Sequence, residues 1–562
     1  MVFRRGAALG LLWLAACAGP GRFPLREPLT HDDDQRPFTP APETYVSPFA
    51  WDGANQMLFR PVSRFFAVDP AGRAANVNAF DEVADSSWFE NRIGRAPMSG
   101  DEVFHGPCGD RVLDPQGPDG SWLIDEGKPN GANPGFRVNI PGVGKFLLKA
   151  DLAEEPERAT GATAIAARLY YAAGYFAPCD SVVYFHPRLL SLKPGLTVTD
   201  NSGKTRPFDQ AALERVLARA SHRGGLVRMG ASRWLPGKPI GPYRYEGTRD
   251  DDPNDVIAHE DRRELRGGRL LAAWLNHFDS REQNTMDVFM VTSETDAQPE
   301  YGYVRHYILD LGDCFGSIWA WDAMSRRLGH AYYLDFEYLF ADFATFGLID
   351  RPWDHARRDA GVFNYFSARD FDPEDWRGGY PNPAFGRMTE ADGAWMARVL
   401  ARFGEEQIAA AVRAGQYDDA STQYLTRTLV ERRQTILNRY LNRLSPIADL
   451  QVQGPRLCGL DLARRAGVVT DASRRYSATA QLAREDDAAQ IALRPEQIEA
   501  REGGLVCIDL SALTRRDPPV ARANAAYLQI EISNGFAPGV LRAHLYDLGR
   551  GRGFRLVGIE RI

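Results

Sequence analysis

The sequence predicts an α+β chain: β-rich in its first half, mostly helical in its middle, and closed by a small β-rich tail. Three observations carry this. Strand-like alternation clusters between Phe136 and Phe185, helical spacing dominates from Glu260 to Leu444, and after about residue 450 short apolar runs are split by Gly, Pro and Asn. The 562 residues are 44% hydrophobic and 25% charged, which is enough apolar material for packed cores and too much for low-complexity disorder. At roughly 100–200 residues per domain, the length predicts two to four domains or lobes. A formal net charge of −7 argues against a nucleic-acid partner, which calls for a basic excess. No interior stretch reaches the ~20 apolar residues of a transmembrane helix.

The first residues read as an address. Arg4 and Arg5 precede the apolar run Gly6 to Ala16, and then comes Cys17. A basic patch, a short apolar core and small residues before a cut site describe a secretory signal. Leu14-Ala15-Ala16-Cys17 resembles the bacterial lipobox, which implies cleavage before Cys17 and a lipid on its thiol. In a Gram-negative envelope, Ala18 rather than Asp after the lipid-bearing cysteine implies the outer membrane. Residues 18–50 are rich in Pro and charge, lack a hydrophobic period and read as an extended tether. Cys108, Cys179, Cys314, Cys458 and Cys507 then remain, so at most two disulfides form. Cys458 with Cys507, in one terminal segment, is the first pair to test.

Residues 50–120 carry aromatics and turn signals without a clear period. Phe136 to Ile140 alternates, Pro141 to Gly144 turns, and Lys145 to Lys149 returns, which predicts a hairpin. Ala159 to Ala173 is Ala-rich with Ile165, Leu169 and Tyr170 at helical spacing, and Gly174 ends it. Ser181 to Phe185 reads as a strand, Glu260 to Phe278 as a helix, and Met286–Val291 and Tyr303–Leu309 as strands. Thr389 with Asp392 forms a capping-box pattern, and Leu425 to Leu444 is a basic helix stopped before Pro446. Gly504–Leu510, Ala526–Ser533, Val540–Leu548 and Phe554–Ile559 are the tail's strands.

The sharpest local feature is His277-Phe278-Asp279-Ser280-Arg281-Glu282-Gln283-Asn284, between a buried-looking helix and an apolar strand. An Asp and an Asn five positions apart in such a loop suit phosphoryl transfer. The Asp accepts the acceptor's hydroxyl proton, and the Asn oxygen holds a metal bridging the phosphates. Arg281 is placed to offset charge on the transferred group, and His277 to brace the loop. Downstream, Tyr307 to Leu309 ends in Asp310-Leu311-Gly312-Asp313. A carboxylate at a strand end followed by Gly suits a second metal ligand, with Asp310 first and Asp313 in reserve. Upstream, Lys149 closes a strand behind the Gly-spaced stretch Gly127, Lys128, Gly131 and Gly135, whose backbone N–H groups can approach phosphates. The scattered histidines show no His-Glu-x-x-His and the chain no Gly-x-Ser-x-Gly, which leaves little for a zinc or serine hydrolase.

The order Gly-loop, strand Lys, helix, His-x-Asp-x-x-x-x-Asn and Asp-Leu-Gly resembles the protein-kinase-like superfamily, nearest to atypical bacterial kinases of the HipA and CotH types. The resemblance runs from about Gly127 to Gly312 in its motifs and over about 350 residues with both lobes. It implies a bilobal body: an N-terminal extension and β-rich N-lobe over 51–250, and a helical C-lobe over 251–450. The β-rich domain 451–562 stands outside it. It implies ATP with Mg²⁺ or Mn²⁺ as cofactor, Asp279, Arg281 and Lys149 as catalytic residues, and Asn284 and Asp310 as metal ligands. Gly127, Lys128, Gly131, Gly135 and Lys149 would hold the nucleotide. The acceptor would be a protein or a small molecule.

The chain departs from that pattern. The Gly spacing is wide, no Ala-Pro-Glu follows Asp310, and the helix Ala159–Ala173 holds no acid to pair with Lys149. Thr163 stands where that acid is expected, so Glu157, Glu154 or Glu155 serves, or the pair is absent. The expectation is an exported, lipid-anchored phosphotransferase of the cell envelope. The alternative is a non-catalytic envelope module that keeps the fold as a binding platform.

Overall fold

The computed structural model describes residues 22–66, 72–128, 133–152, 154–200, 203–292, 300–316, 321–358, 360–470, 475–483, 488–513, 526–549 and 551–562. Cys17 and Gly131, two of the expected site residues, lie outside the described residues. The fold is α+β, with five sheets among the described residues.

The first sheet is built on a meander. Trp122–Gly127, Gly135–Ile140 and Gly144–Lys149 pair antiparallel in sequence, as the alternation predicts. Gly144–Lys149 (the lysine strand) pairs next with Leu226–Arg233, which pairs on its far side with Asp180–Phe185. Leu190–Leu192 joins Trp122–Gly127 in parallel. One face buries Trp122, Phe136, Val138, Phe146, Leu148, Phe185, Val227 and Met229 beneath Leu213 and Val216 of the helix Gln210–Leu217. The period of two then sends Lys149 to the opposite face. There the Ala-rich helix Arg158–Ala173 approaches closely: a Cβ at Gly230 would lie 3.5 Å from Thr160 Cγ2. Gly174 ends this helix at φ 122°.

A three-stranded antiparallel sheet follows, from Lys238–Gly241, Thr285–Val291 and Gly302–Ile308. The main core of the helical region packs Leu270, Leu271 and Trp274 of the helix Arg263–Leu275 against Trp395, Met396 and Val399 of Glu390–Leu400. Leu425, Leu429 and Ile436 of the long helix Asp419–Tyr440 close it. Four helix boundaries differ from expectation by three residues or more, one being the end of the long helix at Tyr440 rather than Leu444. The helix expected from Glu260 starts at Arg263, because His259–Asp261 form a separate 3₁₀ turn. It stops at Leu275, where Asn276 turns left-handed at φ 50°. The long helix starts six residues before Leu425, because the Asp418 side chain accepts from the Ser421 N–H and caps it. The Thr389–Asp392 capping box is present.

The tail forms two antiparallel sheets. One contains Ile447–Gln453, Arg456–Asp461, Leu505–Asp509 and Ile498–Ala500, and the other runs from Ala488–Ala492 to Phe554–Arg561. Cys458 and Cys507 face each other in register and form a disulfide, and Cys108–Cys179 forms a second that the sequence does not single out. Cys314 is free and buried. The described part of the Pro-rich stretch lies along the body. Its Phe38 exchanges backbone hydrogen bonds with Gly302, Asp34 accepts from Ser87, and Tyr45 donates to Ile240.

Candidate functional site

Four separate segments bring charged groups to the Lys149 face of the first sheet. Lys149 Nζ donates to Asp310 Oδ1 at 2.7 Å. Asp310 follows the strand Gly302–Ile308 by two residues and takes a left-handed backbone, φ 53° and ψ 49°. That conformation is uncommon outside Gly and is tolerated best by Asn and Asp; it turns the chain at once into the short 3₁₀ segment Leu311–Asp313. The Leu309 N–H donates to the Asn284 carbonyl at 2.8 Å, which fastens this strand end to the His277–Asn284 loop. Asn284 Nδ2 donates to the Asp279 carbonyl oxygen and to Asp279 Oδ2, both at 2.8 Å, so the two residues five apart in sequence meet.

The loop is braced from behind. Tyr170 of the Ala-rich helix shares a 2.9 Å hydrogen bond with His277 Nδ1. Ser280 Oγ donates to the His277 carbonyl, and the Asn382 amide donates to the Ser280 carbonyl. Burial pushes His277 down to about 4, so the ring is neutral, and its Nε2 is buried with no hydrogen-bond partner among the described residues. This matches the bracing role expected of it.

Burial raises the Asp279 carboxyl to about 6, against the opposing pull of Arg281 and Asn284. Lys149 holds Asp310 below the ordinary carboxylate range. Burial works against the Lys149 charge, but Asp310 outweighs it and raises the ammonium. Burial and the nearby charges of Asp279 and Asp310 push Asp313 up to about 7. Three carboxylates, Asp279, Asp310 and Asp313, thus feel one another near one lysine.

The other expected residues fall as follows. Lys128 donates to the Asn133 carbonyl at 2.7 Å; burial and the neighbouring Lys149 lower it to about 8, which puts it in the same charge cluster. Gly127 and Gly135 are glycines for packing reasons. A Cβ at Gly127 would come 2.4 Å from Val198 Cγ2, and one at Gly135 only 2.2 Å from the Leu148 carbonyl oxygen. Arg281 reaches Asp279 Oδ1 at 3.2 Å and Asp52 Oδ2 at 3.4 Å, with its guanidinium 5.0 Å from the Tyr380 ring. The acid expected near the Ala-rich helix is not at Lys149. Glu155 pairs with Arg158 at 2.8 Å, Glu157 with Arg223 at 3.8 Å, and Glu154 is exposed. Thr163 instead packs at the turn: its Oγ1 would sit 3.0 Å from a Cβ on Gly312. Arg158 donates to the Gly312 carbonyl at 3.0 Å, so the helix start clamps the Asp-Leu-Gly turn with an arginine.

Sequence reasoning missed three contributors, Asp52, Arg60 and Asp180. Asp52, in the short helix Phe49–Ala54, is buried against Arg281, and Arg60 pairs with Glu282 at 2.9 Å, so residues 49–66 lean on the loop. Asp180 opens the strand Asp180–Phe185 on the Lys149 face and is 2% exposed. Asp313, held in reserve, belongs to the cluster. The one available signal was an acid at the head of the otherwise apolar run Ser181 to Phe185.

Among the described residues no group of three or more His, Cys, Asp or Glu is arranged as a metal cage. Asp310 and the Asn284 amide oxygen offer two protein ligands. That suits Mg²⁺, which keeps water and takes substrate phosphates for the rest of its shell. The Asn284 nitrogen is committed to Asp279, which directs the amide oxygen elsewhere. Comparison with protein-family models, with curated proteins and with solved structures finds no match to the chain.

Proposed function

We propose that the chain is an ATP- and metal-dependent phosphotransferase with an atypical protein-kinase-like fold. The observation that carries the reading is that two hydrogen-bonded pairs, Lys149–Asp310 and Asp279–Asn284, are brought together: the Leu309 N–H donates to the Asn284 carbonyl, and Asp279 feels the charge of Asp310. The sheet order supports it. The lysine strand is flanked by the meander on one side and by Leu226–Arg233 and Asp180–Phe185 on the other, with the Ala-rich helix laid on the lysine face. The helix Arg263–Leu275, the loop, and a strand pair ending in Asp-Leu-Gly then follow.

In this reading Lys149 would bind the nucleotide's phosphates, and Asp310 with Asn284 would hold the divalent ion. When bound, that ion neutralises charge on the phosphates. Asp279 accepts the proton of the attacking hydroxyl. Burial brings its carboxyl nearer to neutral pH, which suits a general base. Arg281 lies beside Asp279 and offsets charge on the transferred group. The acceptor is a protein or a small molecule.

The proposed location is the cell envelope, outer membrane, through lipid on Cys17. The two disulfides fit an oxidising compartment. Among the described residues no helix is long and apolar enough to cross a membrane.

One observation favours the second reading, a non-catalytic binding platform: the Ala-rich helix supplies no acid to Lys149. Phosphoryl transfer from labelled ATP by the full chain, with Mg²⁺ or Mn²⁺, separates the two. Transfer lost in Asp279→Asn supports the first, and nucleotide binding without transfer supports the second.

A further inference from the structure

A second buried carboxylate, which no helix provides, stands on the Lys149 face of the sheet. In the strand register, Lys149 lies opposite Gly230, and Asp180 lies opposite Ser232 on the same central strand, two residues along. Opposite residues and those two apart share a face, so Lys149, Gly230, Ser232 and Asp180 all point the same way. Gly230 puts no side chain between them, and on the covering helix Ala164 and Ala167 are small and fully buried. Asp180 is 2% exposed, and its Oδ1 has no hydrogen-bond partner among the described residues. Burial lifts its carboxyl to about 7; Ser232 and then Lys149 are the main groups that pull it back down. A buried carboxylate oxygen without a partner is costly and calls for a function or a missing partner.

We infer that Asp180 is the positioning acid of Lys149 in the loaded site, taking the place of the absent helix acid. The inference rests on the phosphotransferase reading. In the nucleotide-free molecule Lys149 is engaged by Asp310. When Asp310 turns to the metal, Lys149 loses that partner, and Asp180 is the buried acid on its own sheet face that can hold it against the phosphates. The lysine thus exchanges an acid on the Asp-Leu-Gly turn for one on the sheet. The acid in this pairing stands on the sheet, where Arg168 of the Ala-rich helix donates to the Asp180 backbone carbonyl at 2.8 Å.

The test is a double-mutant cycle on the full chain, with Asp180→Asn, Asp180→Glu and Lys149→Arg, each measured for Mg·ATP binding and for turnover of labelled ATP. Asp180→Asn is expected to lower kcat by about 100-fold, the cost of a misplaced reacting group, with KM changed less than about threefold. Asp180→Glu is expected to recover about tenfold of that loss, and Asp180→Asn is expected to add nothing in the Lys149→Arg background. A neutral Asp180→Asn, or an equal loss in both backgrounds, overturns the inference and leaves the phosphotransferase reading standing. A misfolded Asp180→Asn variant, seen as a lost thermal transition, passes the decision to Asp180→Glu. That variant must then keep the fold and shift kcat rather than KM, or the inference fails. A wild-type chain that neither binds nor turns over ATP overturns both.

Discussion

Lys149, Asp310 and His277 each carry a cost in the resting fold. Asp310 adopts a left-handed backbone, Lys149 loses solvation on burial, and His277 keeps one ring nitrogen buried without a partner among the described residues. Strain and unsatisfied polar groups of this kind concentrate at working sites. The Tyr170–His277 hydrogen bond is the most direct test of the loop's bracing. Tyr170→Phe is expected to cost about 1 kcal/mol of stability, read by denaturant unfolding, and to lower turnover by loosening the loop. Unchanged turnover with the same loss of stability would confine His277 to a packing role. At this scale much of the site was legible. Asp279, Asn284, Asp310 and Lys149 stood at spacings that carry a mechanism. Asp180 and Asp52 were not legible, because their roles arise only from strand register and from a distant helix folding back.

Elements were read most easily where the pattern is strong. The hairpin around Lys149, the Ala-rich helix, the capping box at Thr389 and four of the tail's strands stand where alternation and caps put them, while Ile447–Gln453, Arg456–Asp461, Ser477–Ala483, Ala488–Ala492 and Ile498–Ala500 were not read from the sequence. Boundaries shifted where a side chain outside the periodic run decides the end, as Asp418 and Asn276 do. The order of strands in the first sheet was not legible, since no local signal tells Leu226–Arg233 to insert between the lysine strand and Asp180–Phe185. The glycines of the Gly-spaced stretch have a packing meaning that sequence alone confuses with phosphate binding. Gly135 faces Lys149 across the hairpin, with no room for a Cβ beside the Leu148 carbonyl. Gly135→Ala is therefore expected to destabilise the fold by about 1–3 kcal/mol through overpacking and to misplace Lys149, measured as a lower midpoint of thermal unfolding together with weaker nucleotide binding. An unshifted midpoint would mean that the strand pairing there is looser than described.

For the whole molecule, a single buried carboxylate ties distant parts together. Asp81 is 5% exposed. It accepts from Arg263 at 2.7 Å and from Arg561 at 3.0 Å, and its carbonyl accepts from Arg398 at 3.0 Å. These arginines come from two helices and the last strand, and Arg561 also reaches the carbonyls of Ser445 and Ile447. Burial alone would raise the Asp81 carboxyl; Arg263, Arg398 and Arg561 together reverse this and hold it far below the ordinary carboxylate range. Asp81→Ala removes the carboxylate that Arg561 pairs with and leaves Arg263 only Asp392 and Arg398 only Glu82, and a loss of about 3–5 kcal/mol is expected. A depressed carboxyl stabilises fully above its unfolded value of 3.8 and loses that contribution as pH falls further toward the folded value. The stability gap between wild type and Asp81→Asn is therefore expected to be constant from neutral pH to about 5 and to shrink below about 4, followed by urea unfolding. A gap that widens on acidification would contradict the assignment.

The central claim is that the Lys149–Asp279–Asn284–Asp310 cluster is a metal–nucleotide site. Its most direct test is the thermal unfolding of the full chain with ATP and Mg²⁺ or Mn²⁺, beside the Asp310→Ala variant. At ligand 100-fold above Kd the account predicts about 2.7 kcal/mol of stabilisation. The upward shift in Tm should require both nucleotide and metal and be absent in Asp310→Ala. No shift with any nucleotide–metal pair, or an equal shift in Asp310→Ala, would contradict it.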